Sequence, residues 1–304
     1  LAANHATHDV VLDSDSSVAL IRAAERDDAI VARFATIGLL NLATNAKCHP
    51  RLMEDKACVD VLVDLAGGGE RTWTRINEDG APLALEADAP APAPVQMKTT
   101  AALLGDDEHA ENDDARDEMV LVDEMGYDLE ARRYACLALG NLLAAHANHD
   151  AVLNAGGLAC LVASMDADLD LETRFNAVYA CNKMATRSSN HEVMVAGGIL
   201  KPLVALCGEE DQHARCQACA CLRHLSTHAE SRRQIVLEGA LVPLAAAALV
   251  KDLETQREVA ACLCHLALAD DNRSDIILSG AAQPLLEMAQ SPDVEVARFA
   301  NGAV

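Results

Sequence analysis

Between His213 and His265 the chain gathers side chains that bind metals: His213, Cys216, Cys219, Cys221 and His224, then Cys262, Cys264 and His265. Thiolate and imidazole are the ligands of zinc. Two features argue against such a site. The first five share one helix, on which Cys221 points away from Cys216 and Cys219. Neighbouring segments also place apolar residues where these cysteines stand: Leu137 and Val178 for Cys219, Leu139 and Ala180 for Cys221, Gly140 and Cys181 for Cys264. Free cysteine behaves as a small apolar residue, so core positions are expected. Asp166–Glu172 (DADLDLE) resembles the start of a calcium loop, but Leu171 replaces the glycine at its sixth position and Ala177 the glutamate at its twelfth. No Walker loop, HExxH or GxSxG is present. The sequence predicts no metal centre, no cofactor and no catalytic constellation.

The elements that carry these side chains repeat. Arg133, Arg174, Arg215, Arg257 and Arg298 follow one another at 41, 41, 42 and 41 residues. Gly157, Gly198, Gly239 and Gly280 are each 41 apart, and Leu161, Pro202, Pro243 and Pro284 follow four residues behind them. Such regularity belongs to a stack of equivalent units. In one unit, His149–Ala155 forms a short helix that stops at Gly156-Gly157, where glycine takes the left-handed conformation. Leu158–Met165 forms a second helix, with the prolines of later units in its first turn. Thr173–Thr186 forms a longer third helix with apolar residues at helical spacing. Each arginine follows an acid by two to four residues (Glu130/Arg133, Glu172/Arg174, Asp211/Arg215, Glu254/Arg257, Glu295/Arg298), which suggests local helix-start ion pairs.

Three helices in about 41 residues, with paired glycines after the first, resemble the armadillo-repeat family. HEAT repeats usually have two helices and lack the glycine turn. Arg132–Leu142 (RRYACLALGNL) is most similar to the vacuolar armadillo proteins and other armadillo-only scaffolds. The resemblance implies an all-α, right-handed superhelical solenoid that binds a partner protein. It further implies that the third helices line a concave groove, where a late asparagine contacts the backbone of a bound peptide. The matching positions are Asn41, Asn141 and Asn182, continued by Arg223 and His265. An amide both donates and accepts, so it pairs with both groups of a peptide unit. Arg223 would favour an acidic ligand residue, and His265 titrates near neutrality. Importin-α-type receptors carry a tryptophan four residues before the asparagine. Here those sites hold Ile37, Leu137, Val178, Cys219 and Ala261, which speaks against a nuclear-import receptor.

From Arg33 the next third helix is due near residue 74 but starts at Arg133, after about 59 extra residues. The sequence divides into armadillo repeats over 1–66, an acidic and disorder-prone insertion over 67–130, and repeats again over 131–304. Between Gly67 and Glu130 there are 17 acidic and 4 basic residues, a net of −13 in a chain of −23. The insertion is either a tolerated surface loop or a regulatory segment whose apolar islands, Trp73 and Met119–Met125, dock on the solenoid. Residues 1–12 match residues 142–153, and the last residues, 298–304, begin a third helix, so both ends are expected to be cut through repeats.

The strongly acidic balance excludes nucleic-acid binding by the whole surface. Eleven cysteines without a secretory context point to a reducing, intracellular compartment. The expected function is a non-catalytic scaffold that takes an extended or helical segment of another protein and no small-molecule substrate. A peripheral place at the vacuolar membrane follows from the resemblance alone, through a terminus or a partner. The alternatives are the targeting region of a larger ubiquitin ligase or kinase, or an array in a ciliary or cytoskeletal assembly.

Overall fold

Aspartates start the long helices of this chain, and they keep stricter time than its arginines. The computed structural model describes residues 8–13, 16–26, 28–67 and 129–304. Among these, helices follow in triplets: α1 (His8–Asp13), α2 (Ser16–Ala24) and α3 (Ala29–Ala43); α4 (His49–Glu54), α5 (Lys56–Gly67) and α6 (Leu129–Leu142); α7 (His149–Asn154), α8 (Gly157–Ala163) and α9 (Leu171–Ala185). Three further triplets are α10 (His191–Ala196), α11 (Leu200–Cys207) and α12 (Gln212–Ser226); α13 (Ala229–Leu237), α14 (Leu241–Ala248) and α15 (Leu253–Ala267); α16 (Asp270–Leu278), α17 (Ala282–Met288) and α18 (Val294–Ala303). The described chain is all-helical, as expected.

Five of the six third helices begin at a described aspartate cap. Asp170, Asp211 and Asp252 accept the backbone N–H three residues on, and Asp28 and Asp293 accept those two and three residues on. Such caps are worth about 1 kcal/mol each. The five third helices followed by another unit also end in one way: a side chain from the start of the next unit donates to a carbonyl at the helix end. His49 donates to Ala43 O (2.8 Å), His149 to Leu143 O (2.8 Å), His191 to Ala185 O (2.7 Å), Arg232 to Ser226 O (2.9 Å) and Arg273 to Ala267 O (3.1 Å). Orphaned terminal carbonyls are thereby satisfied.

Successive third helices make the most extensive contacts in the molecule: α3 on α6, α6 on α9, α9 on α12, α12 on α15 and α15 on α18. The core between them is built from Ala, Leu, Val, Met and Cys, with Leu39, Leu139, Cys181, Cys221 and Leu263 fully buried. Small side chains let the helices stack closely. Helix α3 packs directly on α6, and Arg33 reaches Glu130 at 3.1 Å, so the stack is unbroken between the units on either side of residues 68–128. The acidic insertion predicted there, including Trp73 and Met119–Met125, lies outside the described residues, as do residues 1–7.

Two details of the sequence reading are corrected. The left-handed glycines are Gly156, Gly198, Gly239 and Gly280, with φ of 85°, 81°, 90° and 81°. Gly157 instead opens α8, because the step from this unit to the next is 42 residues at that point. The second correction concerns the ion pairs, which run between units rather than along one helix. Glu130 pairs with Arg33, Glu172 and Asp170 with Arg133, and Glu295 and Asp293 with Arg257. Asp211 is used as a cap.

Candidate functional site

The capping contacts fix which residues are equivalent. Ala43, Leu143, Ala185, Ser226 and Ala267 each accept the same bond, so they occupy one position. Two residues earlier stand Asn41, Asn141, Lys183, His224 and His265; three residues earlier stand Leu40, Gly140, Asn182, Arg223 and Cys264. The five residues expected to form one row therefore belong to two adjacent rows. Asn41, Asn141 and His265 share the first, and Asn182 and Arg223 the second. Both rows lie on the partly exposed face of the third helices, apart from the buried Gly140. The slip arose from the arginine landmarks. Arg132, Arg174 and Arg215 form one row, and Arg33, Arg133, Arg257 and Arg298 another. The regular 41-residue step of Asp170, Asp211, Asp252 and Asp293 was the signal that would have set the register.

The five side chains differ in what they touch. The amides of Asn41 and Asn141 make no hydrogen bond within the described residues. Asn182 donates to Gln217 Oε1 on the next third helix (2.8 Å), and its own carbonyl oxygen is buried without a partner. Arg223 donates to Glu258 on the next third helix, and its Nη2 lies 3.1 Å from His224 Nε2. His265 Nδ1 meets Ser226 Oγ at 3.1 Å. Three of the five thus tie neighbouring units together, and two present free amides.

Two further residues, Lys183 and His224, were not assigned to this face from the sequence. Lys183 has no ion-pair partner among the described residues and sits 5.0 Å over the Tyr179 ring. His224 is held near a pKa of about 4, first by burial, then by the charges of Arg223, His191, His265 and Lys183. Burial likewise lowers His265. Lys183 and Arg223 form the cationic end of the face, beside the neutral imidazoles of His224 and His265, with Glu258 set against Arg223.

The aromatic residues of the described chain gather on the third helices. The chain has three phenylalanines, three tyrosines and one tryptophan. Phe34, Tyr134, Phe175, Tyr179 and Phe299 all stand on third helices, outside the fully buried core, with Phe34 53% exposed. Tyr127 and Trp73 lie outside the described residues. The Tyr179 ring lies against Gly140, where an added Cβ would meet it at 2.6 Å. Phe175 and His213 meet edge to face at 6.4 Å, as do Phe299 and His265.

The sulfur-rich stretch belongs to the core. Cys216, Cys219, Cys221 and Cys262 are buried free thiols, and Cys264 is half-buried. Cys219 Sγ stands 3.6 Å from Cys207 Sγ inside the unit. Burial pushes the Cys216 and Cys262 thiols up to about 12, so they are protonated and poor metal ligands at neutral pH. Among the described residues no three His, Cys, Asp or Glu side chains are placed to hold a metal, and no helix is long and apolar enough to cross a membrane.

No family model matches the chain, and no curated protein matches its sequence. Solved structures match its fold. An engineered protein aligns over 99% of the chain at 20% identity with a TM-score of 0.74, and the chain spans 60% of that protein's length. A designed armadillo repeat protein aligns over 94% of this chain and 97% of its own at 20% identity, TM-score 0.67. Another, solved in complex with the peptide (KR)4, aligns over 94% and 96% at 18% identity, TM-score 0.66. With the capped triplets and the stacked third helices, these likenesses establish the fold of this chain as an armadillo-type helical solenoid.

Proposed function

We propose that the chain is a non-catalytic scaffold whose third-helix face holds an extended segment of a partner protein. The observation that carries this reading is the placement of the aromatics. A chain that builds its fully buried core from aliphatic and sulfur side chains places every described Phe and Tyr at partly or well exposed positions of the third helices, with Phe175 and Phe299 also packed against the core. Aromatic side chains supply large contact area at low entropic cost and dominate interface energetics.

The polar groups suit an extended ligand. Stacked helices lie roughly 8–10 Å apart, close to three residues of extended chain at about 3.3 Å each. Asn41 and Asn141, on adjacent third helices, are therefore spaced to hold every third backbone unit. The neighbourhood of these amides is apolar, with Ile37, Leu137, Phe34 and Tyr134 half-buried or exposed. At the other end Lys183 and Arg223 favour a carboxylate on the ligand, which at Arg223 would compete with Glu258. The partner segment therefore carries apolar side chains over α3 and α6 and an acidic residue over α9 and α12. That differs from the basic peptide bound by the designed protein. Its role as scaffold also agrees with designed armadillo proteins made for modular peptide recognition.

Peptide-display selection on the purified chain, followed by fluorescence polarisation, tests this. Phe175→Ala/Tyr179→Ala should weaken selected peptides at least about tenfold while leaving the helical circular dichroism unchanged. Undiminished binding to that variant would reject the assignment of the face.

A further inference from the structure

A second surface lies away from the third-helix face. A cleft of about 860 Å³ opens between the first helices α10 and α13, with Gly198, Leu200 and Lys201 closing one side. No third-helix residue lines it. Its size is that of a pocket able to enclose one large side chain and its neighbours.

The floor is apolar. Val195 is half-buried, Leu200 is buried, and Leu237 is 68% exposed at the end of α13. Leu237 is in the middle of the described stack, with α14 to α18 beyond it, so its exposure is not that of a terminal unit. A single exposed leucine means little; here it sits inside a concavity with a charged rim.

That rim is acidic and unpaired. Glu192, Glu230 and Glu238 face one base, Lys201, and none of the four forms an ion pair among the described residues. Several other carboxylates are matched with arginines, as in Arg133–Asp170 (2.9 Å), Arg174–Glu209 (2.6 Å) and Arg233–Asp275 (2.6 Å). His228, half-buried on the cleft wall, uses its Nδ1 on Ser231 Oγ at 3.2 Å. Three uncompensated carboxylates around an aliphatic floor complement a ligand of opposite charge with an apolar centre.

We propose that the α10–α13 cleft docks a short basic segment of a partner protein that carries one large aliphatic anchor. The anchor covers Leu237 and Val195, and flanking Lys or Arg side chains meet Glu192, Glu230 and Glu238. The net charge of −23 steers such a segment toward the surface in general; the cleft supplies the position. This assignment is independent of the third-helix face, whose basic end would repel the same segment.

The probe is a fluorescein-labelled Lys-Lys-Leu-Leu-Lys-Lys peptide, measured by polarisation in about 0.15 M salt, where diffuse attraction is screened. Glu192→Gln/Glu230→Gln/Glu238→Gln should weaken it at least about tenfold. Glu25→Gln/Glu54→Gln/Glu287→Gln, which removes the same formal charge elsewhere, should change it less than about twofold. A probe with serines in place of the leucines should lose at least about tenfold on the wild-type chain. The altered glutamates are exposed, so both variants keep the fold. Equal loss in the two variants would reduce the interaction to diffuse charge. That result, retained binding in the cleft variant, or no binding by the wild-type chain would each overturn the proposal.

Discussion

Gly140 shows how one residue joins the stack to the face it presents. A methyl group there would meet Tyr179 Cδ1 at 2.6 Å and the backbone of Ala180 at 3.3 Å. The ring can move, whereas the backbone cannot without separating α6 from α9. Gly140→Ala should therefore cost about 1–3 kcal/mol, read as a lowered urea midpoint, and should shift the Tyr179 ring resonances. An unchanged midpoint would mean the ring has space that the structure does not show. At this scale the sequence was only partly legible. Asn41, Asn141, Asn182, Arg223 and His265 were all placed on the partly exposed face, but as one row. Their partners, Gln217, Glu258 and Ser226, sit on neighbouring helices 35 to 39 residues away. No spacing along a single helix reveals such contacts. The aromatics were visible in the sequence, but their shared face emerged only once the helices were stacked.

Among elements, the aspartate caps do two jobs. Asp170 accepts from Thr173 N (3.0 Å) and Thr173 Oγ1 (2.6 Å), which starts α9, and from Arg133 Nε (2.9 Å), which holds α6 beside it. Those bonds hold its carboxyl below the usual range despite the opposing cost of burial. Asp170→Ala removes the cap and leaves Arg133 with the more exposed Glu172. The expected loss is about 1–3 kcal/mol, measured by chemical denaturation. Asp170→Asn should recover the cap but not the charge, and fall between the two. A loss in Asp170→Ala below about 0.5 kcal/mol would show that the cap is redundant. Helix number, order and approximate bounds followed from the repeat because periodic apolar residues and glycine stops act locally. The ion pairs did not follow, since an acid three residues before an arginine turned out to serve the preceding unit.

Over the whole molecule, histidines at the ends of the third helices make the stack sensitive to acid. His149 and His191 are lowered chiefly by burial, and each donates Nε2–H to the last carbonyl of the preceding third helix. His149 also accepts from Asn190 at Nδ1 (2.9 Å), so its neutral form joins two units. With His224 near 4 and His265 lowered, the folded state binds fewer protons than the unfolded chain. Their contribution is whole above the ordinary imidazole value of about 6.5 and is lost as pH falls toward about 4. For His224 alone the loss is on the order of 1–2 kcal/mol after solvent screening. Thermal unfolding between pH 7 and 4 should show a falling midpoint with a smaller slope in His224→Gln; the same slope in both would refute it. The lowered carboxyls of Asp170, Asp252 and Asp293 add a second loss below about pH 4. The central claim, that the third-helix face is the working surface, is tested most directly by site-specific photo-crosslinking in cell lysate. A benzophenone side chain is placed at Leu137 or Tyr179 on that face, and at Ala246 on the second helix α14. The account predicts that one partner protein is trapped from both third-helix positions and not from Ala246. Trapping of that partner from Ala246 alone would contradict it.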